Sequence, residues 1–283
     1  MKIDDYILII GAMKCGTTTL FDLLAQHPAI APCRPKEPGF FAFEDRWAEG
    51  FEWYERLFSF DPAAHRFGLD ASTDYTKRPF VTGVVDRLAA SAPRRFKLIY
   101  LMRDPVERIE SHARHVQRTR MEIGKTVSHR PDHSLDAGVS PVSLAISRYA
   151  EQLDPFRDYL DRGDLLLLTL DDLTGRQDET IARVFDFLGL EPVPVRVGHE
   201  NQAGSKRRKA SIWVTLRRMK SFATLVRAIV PGGLRRHLGD ALSSKVTVEG
   251  RFVLTPQERD ALRRDLDPDT RRLAADYGVS FPR

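Results

Sequence analysis

The stretch YILIIGAMKCGTTTLFDLLAQHP, residues 6–28, constrains the fold more than any other part of the chain. Its five leading apolar residues read as a strand buried on both faces, as in a parallel sheet. TTTLFDLLAQ reads as a helix with Leu20, Leu23 and Leu24 on one face, ended by His27-Pro28. Between them, Gly11 and Gly16 bracket a short loop. Strand, glycine loop and helix together present the backbone amides of Gly16, Thr17 and Thr18 at the positive end of a helix, which is an anion site. A nucleotide-hydrolase loop would carry lysine directly after the second glycine. Here Thr17, Thr18 and Thr19 follow Gly16, and the cation is Lys14, inside the loop. The threonine hydroxyls add donors and Lys14 adds a full charge.

The same alternation recurs downstream. RFGLDAS (66–72), FKLIYLM (96–102) and DLLLLTL (164–170) read as further strands. The second leads through Asp104-Pro105 into a helix, VERIESHARHVQR, with proline at its first position and Asp104 as its cap. DETIARVFDFLGL reads as a helix with Ile181, Val184, Phe185 and Leu188 inward, closed by Gly189. Strands alternating with helices imply an α/β fold: a central parallel sheet with helices on both faces, built like the phosphate-loop nucleotide hydrolases. Residues 1–283 are expected to form a single domain with a helical, basic C-terminal extension from about 211. Residues 124–141 lack any period and are expected to form a loop over substrate. The segment 213–242 reads as helical, interrupted by PGG.

Charge bears on the ligand. The net charge is +5, yet residues 201–240 hold ten Lys/Arg against one acidic residue. Such a segment points to an anionic ligand, polymer or membrane surface, with a solvated helix face as the alternative. It has few interleaved aromatics, which argues against nucleic acid. Two cysteines, Cys15 and Cys33, imply no disulfide framework and fit a reducing compartment. The N-terminus is too short in apolar residues, and too acidic, for a signal peptide or membrane span, so cytoplasmic residence is expected. No metal site is expected: the strand 96–102 ends in Arg103, where a metal-holding carboxylate could have stood.

GAMKCGTTTL followed by YLMRDPVERIESHARH resembles the paired signatures of sulfotransferases that use 3′-phosphoadenosine 5′-phosphosulfate (PAPS). KEPGFF (36–41), LDASTDY (69–75), SRYAEQL (147–153), LLLLTLDDL and FLGLEP (187–192) continue the resemblance in the family's order, over roughly residues 6–210. It implies that Lys14, Cys15, Gly16, Thr17, Thr18 and Thr19 cradle the 5′-phosphosulfate. Arg103 and Ser111, eight residues apart, would grip the 3′-phosphate. Lys206, Arg207 and Arg208, in NQAGSKRRK, lie where the family places a basic segment over the nucleotide. Lys14 can follow negative charge onto the oxygen between sulfur and phosphorus, stabilisation confined to the transition state.

An acceptor alcohol needs its proton taken during attack. In family members that sulfate glycosaminoglycans, the Glu of KEPxFF does this, which implies Glu37 here; His27, His65, His112 and His115 are the competing bases. Lys36, Asp70, Ser72 and Asp74 are candidate acceptor contacts, with turn capping an equal reading for the last three. LDASTDY departs from the glycosaminoglycan pattern, with Ala71 where a lysine is usual and Thr73 where a proline is, which weakens the case for a polyanionic acceptor. The aromatic run from Phe40 to Tyr54 is expected to be mostly core. The expected activity is sulfuryl transfer to a hydroxyl of a carbohydrate or glycoconjugate. The alternatives are a lipid or secondary-metabolite hydroxyl and, more distantly, a phosphotransferase with a divergent loop.

Overall fold

The computed structural model describes residues 3–122, 139, 141–196 and 252–281. Five parallel strands form one sheet: β1 (Asp5–Gly11), β2 (Ile30–Pro32), β3 (Phe67–Asp70), β4 (Arg95–Met102) and β5 (Leu165–Thr169). Their order is β2-β3-β1-β4-β5. The chain first runs outward from β1 to the edge, returns as β3, and then crosses over to β4 and β5. In such sheets ligands bind outside the carboxyl ends, where the winding reverses. Here that point is the end of β1.

Burial explains why these segments are strands. Tyr6 to Ile10 are all 0% exposed, as are Leu98 to Met102 on β4. Each such side chain contributes about 1.5–3 kcal/mol on burial, so alternation is absent and continuous apolar runs appear instead. β2 has only three residues and carries Pro32 at the sheet edge, where a missing donor costs nothing.

The end of β1 carries a bulge. Ile9 pairs with Ile99 but Gly11 pairs with Tyr100, so Ile10 is an extra residue in the ladder. The Thr76 hydroxyl donates to the Ile10 carbonyl (2.7 Å), supplying the partner that the ladder omits. Gly11 is obligatory, because a Cβ there would stand 2.2 Å from Thr76 Oγ1 and 2.4 Å from Tyr100 Cε2.

Helices α1 (Thr17–Leu24), α2 (Glu44–Ala48), α3 (Gly50–Glu55), α4 (Val84–Ala89) and α5 (Pro105–Glu122) cover the first four strands. The aromatic run is core in the main: Phe40, Phe41 and Tyr54 are buried, Phe40 stacked on Tyr54 and Phe41 edge-on to both, while Phe43 is 41% exposed. Helix Gln177–Leu188 buries Ile181, Val184, Phe185 and Leu188 and ends at Gly189 in the left-handed conformation, as its pattern implies.

A C-terminal helix, Pro256–Tyr277, is present. Its Asp269 carboxylate accepts from the amides of Ala150 and Glu151 (both 3.1 Å), capping the helix Tyr149–Leu153 beside the site. This helix holds five arginines against six carboxylates, so it is not itself basic. The basic run 201–240, with Lys206, Arg207 and Arg208, lies outside the described residues, as do the segment 213–242 and nearly all of 124–141.

Candidate active site

The loop after β1 turns tightly. The Ala12 amide donates to the Leu101 carbonyl (2.7 Å) and the Cys15 amide to the Ala12 carbonyl (3.2 Å). Gly16 caps α1 with φ of 92°, and no side chain caps the helix. The Thr17 and Thr18 amides take no backbone acceptor, so they remain available to an anion among the described residues. A Cβ at Gly16 would meet Leu170 Cδ1 at 2.7 Å. Thr17 is buried, Thr18 exposed, and Thr19 and Lys14 half-buried.

Only two non-glycine residues among those described have left-handed backbone, Lys14 (φ 73°) and Glu37 (φ 62°). Such conformations cost of order 1–3 kcal/mol and persist where the surroundings impose them, characteristically at functional sites. These two are also the residues expected to act on the reacting groups.

The Lys36–Glu37 segment reaches α1. Lys36 Nζ lies 2.8 Å from Glu37 Oε1 and 3.3 Å from Thr18 Oγ1, with Phe21 beneath it. Lysine therefore joins the carboxylate to the anion loop. The Glu37 side chain is 41% exposed, so the ion pair adds little stability and leaves the carboxylate accessible.

Asp70 and Ser72 support this segment from below. The Ser72 hydroxyl accepts from the Gly39 amide (2.9 Å) and donates to Asp70 (2.7 Å). Asp70 also accepts from the hydroxyls of Tyr54 (2.8 Å) and Tyr75 (2.6 Å). Both residues are 0% exposed, so they hold the Glu37 segment and present no free polar atom to solvent. Burial pushes the Asp70 carboxyl above its ordinary range, against the pull of these donors. Asp74, half-buried, pairs with Lys77 (2.5 Å).

The second anion-binding element follows β4. Asp104 caps α5 by accepting from the Glu107 amide (2.8 Å). The Arg103 side chain pairs with Glu107, and its Nε is buried with no acceptor. Tyr149 couples the two elements: its hydroxyl donates to the Arg103 carbonyl (3.0 Å) and lies 3.6 Å from Cys15 Sγ. Ser111 is half-buried two turns along α5 from Arg103. Burial pushes the Cys15 thiol up to about 11, so it packs as a neutral group.

Four histidines compete for the base role, and their surroundings differ. His27 is buried, uses Nδ1 for the Ala29 amide (3.1 Å), and sets Nε2 against the Glu191 carbonyl (3.1 Å). His65 is engaged with the Asp61 amide (2.9 Å) in an exposed turn. His112 is pushed down to about 4 by burial first, then by the charges of Arg108, His115, Lys14 and Lys77. Accepting a proton there would add a cation to a cationic cluster. His115 lies on α5 one turn beyond His112.

Sequence reasoning overlooked Thr76, Tyr149 and Arg108, which touch loop or strand backbone: Tyr149 and Arg108 lie inside the motifs SRYAEQL and YLMRDPVERIESHARH but were given no role, and Thr76 lies just beyond LDASTDY. No cluster of metal-ligating side chains occurs among the described residues, nor any helix long and apolar enough to cross a membrane.

Known proteins similar to this chain include sulfotransferases. The chain is 28% identical over 200 residues to heparan sulfate glucosamine 3-O-sulfotransferase 3A1 of Mus musculus, covering 66% of this chain and 46% of that protein. It is 31% identical over 196 residues to heparan sulfate glucosamine 3-O-sulfotransferase 6 of Homo sapiens, covering 66% and 52%. The chain thus spans about half the length of the curated relatives it matches. A sulfotransferase from Alicyclobacillus acidocaldarius shares the fold, with TM-score 0.59 at 20% identity over 97% of this chain and 95% of that one. The sequence model of the sulfotransferase domain matches residues 4–221, most of the chain, and the chain belongs to that family.

Proposed function

We propose that the protein transfers a sulfuryl group from PAPS to a hydroxyl, with Glu37 as general base. One observation carries this reading: Glu37 and the anion loop are joined through Lys36, within hydrogen-bond distance of both Glu37 and Thr18. The free Thr17 and Thr18 amides, Gly16 and Lys14 suit the 5′-phosphosulfate, which supplies the electrophilic sulfur. Arg103 and Ser111 suit the 3′-phosphate, and the buried Arg103 Nε, which has no acceptor among the described residues, is a donor that such an anion would satisfy. Lys206, Arg207 and Arg208 would complete that grip from the basic segment.

The acceptor oxygen attacks sulfur in line, and its proton passes to the Glu37 carboxylate. The bond between sulfur and the bridging oxygen breaks, and Lys14 neutralises the charge arriving on that oxygen. The products are a sulfate ester and adenosine 3′,5′-bisphosphate (PAP).

The carbohydrate sulfotransferases among the relatives support a carbohydrate or glycoconjugate acceptor. Ala71, buried where glycosaminoglycan enzymes carry lysine, favours one of low charge. Two free, buried cysteines fit a cytoplasmic setting. Incubation with sulfur-labelled PAPS and a panel of sugars and glycoconjugates tests the activity. Glu37→Gln is expected to lower kcat by roughly 10²- to 10⁴-fold and leave the Kd for PAP nearly unchanged, because among the described residues the Glu37 carboxylate hydrogen-bonds Lys36 and no donor of the loop itself. Full turnover in that variant would give the base role to another group.

A further inference from the structure

Arg108 is 0% exposed, in the first turns of α5. Its donors all meet neutral oxygens. Nε donates to Ser147 Oγ (2.7 Å), Nη2 to the Ser143 carbonyl and hydroxyl, and Nη1 to the Met13 carbonyl of the anion loop (3.4 Å). No carboxylate among the described residues pairs with it. The nearest acids on α5 are committed elsewhere, Glu107 to Arg103 and Glu110 to Arg114 and Arg259.

A buried ion without a counter-ion is among the costliest arrangements a fold can retain. The position worsens it, since a cation near a helix N-terminus opposes the helix dipole. Hydrogen bonds satisfy the fork but leave the charge unneutralised. Arg108, Lys14 and Lys77 all disfavour protonation of His112, although Lys77 is paired with Asp74. Arg108 itself brings a positive charge with no carboxylate partner among the described residues to the Met13 carbonyl of the anion loop.

We propose that Arg108 is a positioning residue of the donor site: it fixes the Met13 carbonyl, and its unpaired charge is neutralised only when the anionic donor seats on the loop. The inference rests on the donor reading given above. The fork accounts for the shape of the loop in the free protein, and the charge accounts for part of the affinity. Arg108 does not reach the reacting atoms and acts through the loop.

Calorimetric titration with PAP tests this in the full chain, using Arg108→Gln and Arg108→Lys. Glutamine keeps two N–H donors and removes the charge, whereas lysine keeps the charge and loses the fork. The expected order of affinity is wild type, then Arg108→Lys within about threefold, then Arg108→Gln weaker by tenfold or more, about 1.4 kcal/mol. A merely structural arginine predicts otherwise, because lysine breaks the same fork and should fall at least as far as glutamine. That order, or Arg108→Gln binding PAP as wild type does, would overturn the proposal. Should Arg108→Gln not fold, the wild type carries the test through His112 titrated by NMR. Its imidazole should become more basic when PAP binds, and an unmoved titration would overturn the proposal. Failure of the wild type to bind PAP would instead remove the donor reading on which this one stands.

Discussion

Gly16→Ala separates a backbone requirement from a ligand requirement. Gly16 has φ of 92°, where a Cβ costs about 1–2 kcal/mol. The added carbon would also stand 2.7 Å from Leu170 Cδ1, the end of a flexible side chain, and 3.6 Å from Leu101 Cδ2. Because that end can swing aside, overpacking adds only about 1 kcal/mol, the low end of its usual range. Together these give about 2–3 kcal/mol, or a melting temperature lower by roughly 4–12 °C for a chain of this size. Gly83→Ala is the control: φ is 76°, nothing lies within 4 Å of its Cβ, and it caps α4 rather than α1. It should carry the conformational cost alone and bind PAP normally. Gly16→Ala should lose tenfold or more in PAP affinity, because a Cβ disfavours the left-handed φ that aims the amides of Thr17 and Thr18 at the anion. Differential scanning fluorimetry with and without PAP reads both quantities. Equal melting temperatures and equal PAP shifts for the two variants would refute the reasoning.

Arg103→Ala should weaken binding of PAP far more than of its 3′-dephosphorylated analogue, and equal losses in competition titrations would remove the 3′-phosphate assignment. Asp70 gives a pH signature. Burial raises its native pKa above the unfolded value of 3.8, so its stabilising contribution is complete below that value and is lost as pH rises through the native pKa. The wild-type-minus-Asp70→Asn difference in unfolding free energy should therefore fall from about pH 4 upward, measured by denaturant titration. A difference that does not change with pH would contradict the burial argument.

Much of the fold was legible because continuous apolar runs and glycine caps are local signals. β1, the loop and α1 fall where the pattern from Tyr6 to Leu24 puts them, and β4, β5 and the helix ending at Gly189 likewise. β2 was not legible, since three residues interrupted by proline carry no period. Glu37 and Lys14 were legible through resemblance, but their shared left-handed backbone was not, because nothing in a lysine or glutamate announces positive φ. Asp70 and Ser72 show the opposite limit: contact with an acceptor and turn capping were equal readings of their positions, whereas the fold seals them under the Glu37 segment. Arg108 was hidden most completely. In VERIESHARH it looks like any solvated helix charge, and only the packing of Ser143 and Ser147 against it reveals its burial.

The central claim is that the loop around Lys14 recognises a 3′-phosphorylated, sulfonated adenylate rather than a nucleoside triphosphate. Calorimetry of the full chain with PAP, and separately with ATP and Mg²⁺, tests it most directly. The account predicts saturable binding of PAP, independent of Mg²⁺, and at least tenfold weaker binding of ATP. Tight, Mg²⁺-dependent binding of ATP with none of PAP would contradict it.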